Sequence, residues 1–371
     1  VPFLFWPLLR HDEPDFWRWS ARDFLRSLGV DAVLVMNRRH GEAVVRSLAL
    51  KRLLRGSRLV VFGKQNFPWN APAAGHLVTR SLGTHIVVRP LSDIETAFEA
   101  VSDAEAESVW SRRRSRYSNA NCREADLLEA VRTYLAIRAI CEEERAMGFG
   151  VNCFGDLIIG GSRRTPCLAQ ALMREDGYIA SCDGDYLAMM SMVLATYLLD
   201  KPCMMSNMYP VSYAGALQDH FGDPLAPDPD RYAKAEWRNL ARLGHCAFVG
   251  VVPPEMDPGG TSRLHDWGGT YEIPRDGSGC GMDGDLAAGR PITVVELGFD
   301  GRTLLTARGE VAETTRHEGM PHCEATALLR FEDLEGFVSN ISREHTVVVY
   351  GDHTEDFHTL AGVLGLDHRE F

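Results

Sequence analysis

The sequence has no excess of basic residues. It contains 39 lysines and arginines against 51 aspartates and glutamates, which gives a formal net charge of −12 and a pI near 5.6. Nucleic-acid binding normally requires a basic face. The one basic cluster, residues 112–116, lies in a predicted helix next to acids and is best interpreted as a solvated helix face. The charge therefore argues against a nucleic-acid partner.

Paired cysteines are also missing. The nine cysteines stand singly, with no CxxC motif and no spacing that implies a disulfide framework. They are Cys122, Cys141, Cys153, Cys167, Cys182, Cys203, Cys246, Cys280 and Cys323. Such a scattered set predicts reduced thiols in a cytoplasmic protein.

No apolar run is long enough to cross a bilayer. The apolar opening, residues 1–9, is far too short and carries two prolines, so we expect an edge strand or loop there and no membrane partner. The chain does not begin with Met, which is expected if a segment precedes Val1.

The glycine-rich loop at residues 160–164 has little of a phosphate-binding motif. Gly160-Gly161 alone is a weak signal, because this loop lacks both GxGxxG and GxxxxGK[ST]. A nucleotide cofactor is therefore disfavoured.

Apolar strands alternate with helices in the first half of the chain. The length of 371 residues favours two domains. Residues 32–36 form a continuous apolar run typical of a strand buried on both faces. The next predicted elements are a helix at 42–54, a strand at 59–62, a helix at 73–82 and a strand at 86–88. This alternation predicts a doubly wound, Rossmann-like α/β domain over residues 1–176.

Proline, glycine and short strands dominate after residue 210. Asp300-Gly301, between apolar strands at 292–297 and 303–307, is the strongest hairpin signal in the chain. Antiparallel strands with tight turns predict a barrel or sandwich that ends in an α/β segment. We therefore expect a β-rich C-terminal domain over residues 177–371, carrying the metal and substrate site.

Aspartates follow two predicted strand ends in the middle of the chain. A strand at 178–181 leads into Cys182-Asp183-Gly184-Asp185 and an apolar helix at 186–199, and Asp156 follows the strand before it. Open sheets bind ligands at such strand ends, beside the N–H groups of the next helix. An aspartate before a helix is commonly only an N-cap, and we assign that role to Asp183. Asp156 and Asp185 are predicted to share a functional site.

Three of the thirteen histidines have an informative context. His245 opens HCAF, His345 precedes the last predicted strand and His353 follows it. A lone histidine is more often a surface or core residue than a ligand. Two carboxylates and one histidine, with positions left for substrate oxygens, suit Mn²⁺ or Mg²⁺ better than Zn²⁺. Spacing alone does not show that these groups converge.

Four motifs occur in a distinctive order: CFGD at 153–156, PCLAQALMREDGYIASCDGDYLAMMSMVLATYL at 166–198, GHC at 244–246 and EHTVVVYGDH at 344–353. This order resembles the L-fucose isomerase-like proteins, distant relatives of L-arabinose isomerase. Residues 56–69 and 89–103 are similar to the middle domain of that family, so the likeness covers most of the chain.

The resemblance implies an Mn²⁺-dependent (or Mg²⁺-dependent) aldose–ketose isomerase that acts on a small sugar such as L-fucose or D-arabinose. It places Asp156, Asp185 and His345 at the metal ligands, and we take Asp156 and Asp185 as the acids that move protons. It also implies a homo-oligomer, a trimer or hexamer, with the site commonly at a subunit interface.

The chain departs from the family pattern at its acids. Members usually have CEGD at positions 182–185 and a glutamate at the position of Asp156, and full-length members carry an additional N-terminal α/β domain. An aspartate retracts the carboxylate by one CH₂, so catalysis can be altered while metal binding survives. Alternatives are a metal-dependent epimerase or carbon–carbon lyase with the same kind of enediolate, or a non-catalytic sugar-binding homologue.

Overall fold

The computed structural model shows an α/β region followed by a β-barrel. The residues it describes are 3–5, 19–64, 72–153, 156, 165–213, 226–246, 253–257, 259–260, 262–266, 269–270, 273–274, 279–314 and 323–371. The predicted fold class, a doubly wound α/β domain followed by a β-rich domain, is confirmed.

Helices and strands alternate up to residue 199. The helices are α1 (Trp19–Ser27), α2 (Arg38–Leu54), α3 (Pro72–Leu82), α4 (Leu91–Ala100), α5 (Asp103–Arg113), α6 (Glu124–Glu144), α7 (Cys167–Glu175) and α8 (Tyr186–Leu199). The strands are β1 (Phe3–Phe5), β2 (Ala32–Leu34), β3 (Arg58–Phe62), β4 (His85–Arg89), β5 (Ser118–Asn119), β6 (Gly148–Val151) and β7 (Ile179–Ser181).

Four of these strands form a parallel sheet in the order β4-β3-β6-β7. β6 is buried at all four residues, as expected for a central strand covered on both faces. The predicted strand at 32–36 is present as β2, but it pairs with β1 in a separate two-stranded sheet. β7 lies beyond residue 176, so the parallel sheet extends past the predicted domain boundary, which stays a prediction.

Residues 91–113 form two consecutive helices, α4 and α5. Ser102 separates them, because its side chain accepts a hydrogen bond from the N–H of Glu105 and caps α5. The elements predicted at 42–54, 59–62, 73–82 and 86–88 are present, and their bounds differ from the predicted ones by a few residues at most.

The second half of the chain contains the barrel. The strands of this half are β8 (Met204–Pro210), β9 (Leu240–Cys246), β10 (Arg263–Asp266), β11 (Gly269–Thr270), β12 (Ile273–Pro274), β13 (Cys280–Asp283), β14 (Pro291–Leu297), β15 (Thr303–Glu313), β16 (Cys323–Phe331), β17 (His345–Tyr350) and β18 (Asp367–Glu370). Two helices accompany them, α9 (Leu334–Val338) and α10 (Thr354–Leu364).

Six antiparallel strands close on themselves in the order β14-β17-β8-β9-β16-β15, because β15 also pairs with β14. β18 extends the sheet by pairing in parallel with β15. The predicted hairpin of β14 and β15 is confirmed. Its turn is held by Asp300, whose Oδ1 accepts the N–H groups of Arg302 and Thr303, and by Gly301 at φ 63°.

α8 is the element that joins the two regions. Twelve of its fourteen residues are buried, and it packs on β6 and β7 of the parallel sheet and on β14 and β17 of the barrel. A helix that is apolar all round is expected in such a position. Its first residue therefore lies where the two regions meet.

Two sequence-level absences have structural counterparts. The seven cysteines whose side chains are described, among them Cys153 and Cys182, are buried and form no disulfide. Within the described residues, no helix combines the length and apolar character needed to cross a membrane.

We expect Gly148→Ala to destabilise the parallel sheet. An added Cβ would lie 2.6 Å from the carbonyl oxygen and 2.8 Å from the Cβ of Ile179 on β7. Because the carbonyl oxygen belongs to the backbone of β7, β6 and β7 must separate. We expect this to cost about 1 to 3 kcal/mol in the free energy of unfolding. Urea unfolding measures this cost.

Gly362→Ala in α10 is the matched control. Nothing lies within 4 Å of the added Cβ there, so the helical alanine is expected to stabilise the protein by about 0.5 to 1 kcal/mol. Equal effects of the two substitutions would contradict the steric argument.

Candidate metal centre

The candidate site begins at the carboxyl ends of β6 and β7. The chain after β7 turns sharply at residues 182–185, and the N–H of Gly184 donates to the carbonyl of Val151 at the end of β6. This bond fastens the turn to the neighbouring strand. The ends of β6 and β7 are therefore held close together.

Asp183 occupies the left-handed backbone region, at φ 54°. Aspartate is one of the few residues that tolerate this conformation. Its buried carboxylate accepts a hydrogen bond from the thiol of Cys153 at 3.3 Å and lies 3.5 Å from Nε2 of His345. Asp183 is not a helix cap, so the role assigned to it from the sequence is wrong.

Asp185 is the N-cap of α8. Its Oδ1 accepts the N–H of Ala188 at 2.7 Å, the ordinary bond of a capping aspartate. Its Oδ2 lies 2.9 Å from Nδ1 of His345 and 3.0 Å from Nε of Arg343. Both oxygens of this buried carboxylate are therefore engaged.

The two histidines come from the barrel. His345 begins β17 and His245 lies near the end of β9, and β8 separates these strands. In the strand register Asn207 of β8 lies opposite His345 on one side and Gly244 on the other. The two imidazoles stack with ring centres 6.2 Å apart and planes inclined by 18°.

Asp183, His245 and His345 are the group of described residues that could hold a metal ion together, named here the metal-ligating group. One ligand atom from each lies within 4.8 Å of the others, and all three residues are buried. Nδ1 of His345 faces the carboxylate of Asp185, which leaves Nε2 towards Asp183. Metal-binding histidines usually have this arrangement, in which a carboxylate holds the second ring nitrogen. The group can hold a metal ion.

The charges of the site depend on burial and on its ion pairs. Burial alone would raise the pKa of both aspartates, but His345 with His245 lowers the pKa of Asp183, and Arg343 with His345 lowers that of Asp185. Burial opposes ionisation of His345, yet the two carboxylates raise its pKa to about 10. Burial lowers the pKa of His245 to about 4. The carboxylates of Asp183 and Asp185 thus favour a positively charged His345 between them, whereas the imidazole of His245 beside it is neutral.

A second layer of charged side chains supports Asp185. Arg343 donates from Nη1 to the carbonyl of Leu297 at 2.8 Å and lies 3.4 Å from the carboxylate of Glu296. Glu296 also accepts the N–H of Ser342 at 2.7 Å. Burial, followed by the nearby Asp185, raises the pKa of Glu296 to about 7, although Arg343 and the Ser342 N–H oppose the shift.

The structure brings two of the three predicted ligands, Asp185 and His345, into contact. Asp156, the third, follows the end of β6, where its Oδ2 accepts the N–H of Lys64 at 2.7 Å and a bond from Asn152 at 3.2 Å. Neither Asp156 nor Asp185 belongs to the converging group.

The sequence analysis did not assign Asp183 and His245 to the converging group. The signal for Asp183 was the CDGD turn itself, and the signal for His245 was its place in HCAF. His353, the other histidine with context, lies outside the group and contacts Asp356 and Lys201.

Comparison with known proteins supports a relation to sugar isomerases. A family model described as the L-arabinose isomerase central domain matches residues 76–199. The matched segment includes Asp156, Asp183 and Asp185 and ends with α8, before the barrel that carries both histidines. No curated protein sequence matches the chain.

Proposed function

We propose that the protein is a metal-dependent aldose–ketose isomerase acting on a small sugar of the L-fucose or D-arabinose kind. The observation that carries the proposal is the buried convergence of Asp183, His245 and His345. The match of residues 76–199 to an arabinose isomerase domain supports the reaction class. The resemblance of the sequence motifs supports the substrate class.

The donor set fits a divalent transition metal. It offers one carboxylate oxygen and two imidazole nitrogens, and His345 has a carboxylate on its other nitrogen. Imidazole suits transition metals, whereas Mg²⁺ prefers oxygen ligands alone. The donor set therefore disfavours Mg²⁺, and the family resemblance implies Mn²⁺, with Asp183, His245 and His345 as its residues.

The remaining acids take other roles in this proposal. A bound divalent cation would stabilise the negative charge that develops on two adjacent sugar oxygens. Asp185 orients His345, since both of its oxygens are already engaged. Asp156 is half-buried, and within the described residues its carboxylate is bonded through Oδ2 only, so Oδ1 is the atom proposed to accept and return the sugar proton.

The direct test is a screen of aldoses with added Mn²⁺, following ketose formation by chromatography. Formation of the ketose from one or more aldoses, lost on chelation and restored by Mn²⁺, is the expected result. A product that differs only in configuration at one carbon would make the protein an epimerase. Binding without turnover would make it a sugar-binding homologue.

The homo-oligomer is a further part of the proposal. It rests on the family resemblance, which implies a trimer or hexamer with the site at a subunit interface. Light scattering at micromolar concentration tests it, and a strictly monomeric protein would remove it.

Replacing Asp185 by asparagine is expected to reduce Mn²⁺ affinity roughly 10- to 100-fold. Asparagine caps a helix about as well as aspartate, so α8 keeps its start. The amide, however, loses the charge that faces His345 and Arg343. Calorimetric titration with Mn²⁺ measures the change.

Asp333→Asn is the matched control for capping. Asp333 caps α9 by accepting the N–H of Gly336 at 2.9 Å, away from the metal-ligating group. Its replacement should leave Mn²⁺ affinity unchanged. If Asp185→Asn also leaves it unchanged, Asp185 is a helix cap and nothing more.

A further inference from the structure

Arg343 lies buried between Asp185 and the barrel. Its side chain is 1% exposed, and the side chains of its two acidic neighbours, Asp185 and Glu296, are 0% exposed. Nε lies 3.0 Å from Oδ2 of Asp185, while Nη1 donates to the carbonyl of Leu297 and approaches Glu296. One guanidinium thus links the start of α8 to the end of β14.

Packing alone does not explain these charges. Each buried ion carries a desolvation cost of several kcal/mol, and apolar side chains of similar volume commonly give equal or better stability. The carboxylate of Asp185 would be a complete helix cap without Arg343, because its Oδ1 already accepts the Ala188 N–H. The guanidinium instead contacts Oδ2, the same oxygen that faces Nδ1 of His345.

We infer that Arg343 is a positioning residue for the metal centre, which holds the Asp185 carboxylate so that Asp185 fixes the ring of His345. The inference rests on the proposed function, since it concerns the same metal-ligating group. Arg343 touches none of the ligands in the described contacts and acts through Asp185. The carbonyl of Leu297 and the carboxylate of Glu296 anchor it on the barrel side.

Leu297, whose carbonyl anchors Arg343, is itself bound to α8. The N–H of Leu297 donates to Oγ of Ser191 on α8 at 2.9 Å, so the end of β14 is bound to the same helix that Asp185 caps. Arg343 stands two residues before His345, at the entry to β17. The three elements that position the His345 ring are α8, β14 and β17. They therefore meet at the guanidinium of Arg343. Lysine reproduces the charge but not the planar guanidinium, in which Nη1 donates to Leu297 while Nε faces the Asp185 carboxylate.

The test is Mn²⁺ titration alone, by calorimetry, of the full chain and three variants. Arg343→Met should weaken Mn²⁺ binding about tenfold or more, the range seen when outer-shell partners of ligands are lost. Arg343→Lys should recover part of that loss. Arg330→Met is the matched control, because Arg330 makes an exposed ion pair with Glu310 on the barrel, and its affinity should stay within about twofold of wild type.

Partial recovery by lysine separates positioning from general destabilisation, and thermal unfolding of each variant shows that it is folded. A folded Arg343→Met protein with wild-type Mn²⁺ affinity would overturn the inference and leave a buried ion pair. If Arg343→Met does not fold, Arg343→Lys decides, and full wild-type affinity there would overturn it equally. Failure of the wild-type protein to bind Mn²⁺ would instead overturn the proposed function, on which the inference rests.

Discussion

Replacing Asp183 by asparagine is expected to lower Mn²⁺ affinity by roughly 100-fold or more and to abolish isomerisation. Asp183 supplies the carboxylate of the metal-ligating group, so its loss should exceed the 10- to 100-fold effect typical of outer-shell partners. The change also leaves His345 with one carboxylate fewer, and the added positive charge opposes a cation. Calorimetric titration with Mn²⁺ and ketose formation at fixed Mn²⁺ measure both effects.

Asp126→Asn is the control for this substitution. Asp126 is a buried aspartate in α6 that pairs with Arg123 and lies outside the metal-ligating group. Its replacement should change stability but not Mn²⁺ affinity. Wild-type affinity in a folded Asp183→Asn protein would remove Asp183 from the ligands and return attention to Asp156.

Replacing Glu296 by glutamine is expected to remove a pH dependence of stability worth about 3 kcal/mol. The pKa of Glu296 rises from 4.5 in the unfolded chain to about 7 in the folded protein. The folded state therefore binds the proton more tightly between these values. The contribution of Glu296 to stability is largest below pH 4.5, falls as the pH rises to about 7 and then stays constant.

The difference between wild type and Glu296→Gln isolates this contribution, because other groups titrate equally in both. Urea unfolding at pH 5 and pH 8 measures the free energy of unfolding of both proteins. From pH 5 to pH 8 the value for wild type should fall by about 2 to 3 kcal/mol relative to that of the variant. Glu310→Gln, at a half-exposed ion pair on β15, should show no such gain. Parallel stability curves for wild type and Glu296→Gln would contradict the raised pKa.

The strand and helix pattern was readable from the sequence because it depends on local periodicity. The apolar run at 186–199 predicted α8 with both of its ends, and Asp300-Gly301 predicted the β14–β15 hairpin. The alternation of buried strands with helices predicted the parallel sheet. It did not reveal that β2 pairs with β1 outside that sheet, since pairing partners depend on distant chain segments.

The sequence by itself also singled out the turn of residues 182–185 and His345, because strand ends and motif order are properties of the chain. Only the tertiary structure decided which aspartate faces both histidines. The left-handed backbone at Asp183 directs its carboxylate to the histidines, and Asp185 turns back to cap α8. A local pattern does not specify that difference in backbone conformation. His245 joins the group through the strand order of the barrel, in which β8 alone separates β9 from β17, and no spacing along the chain encodes that contact.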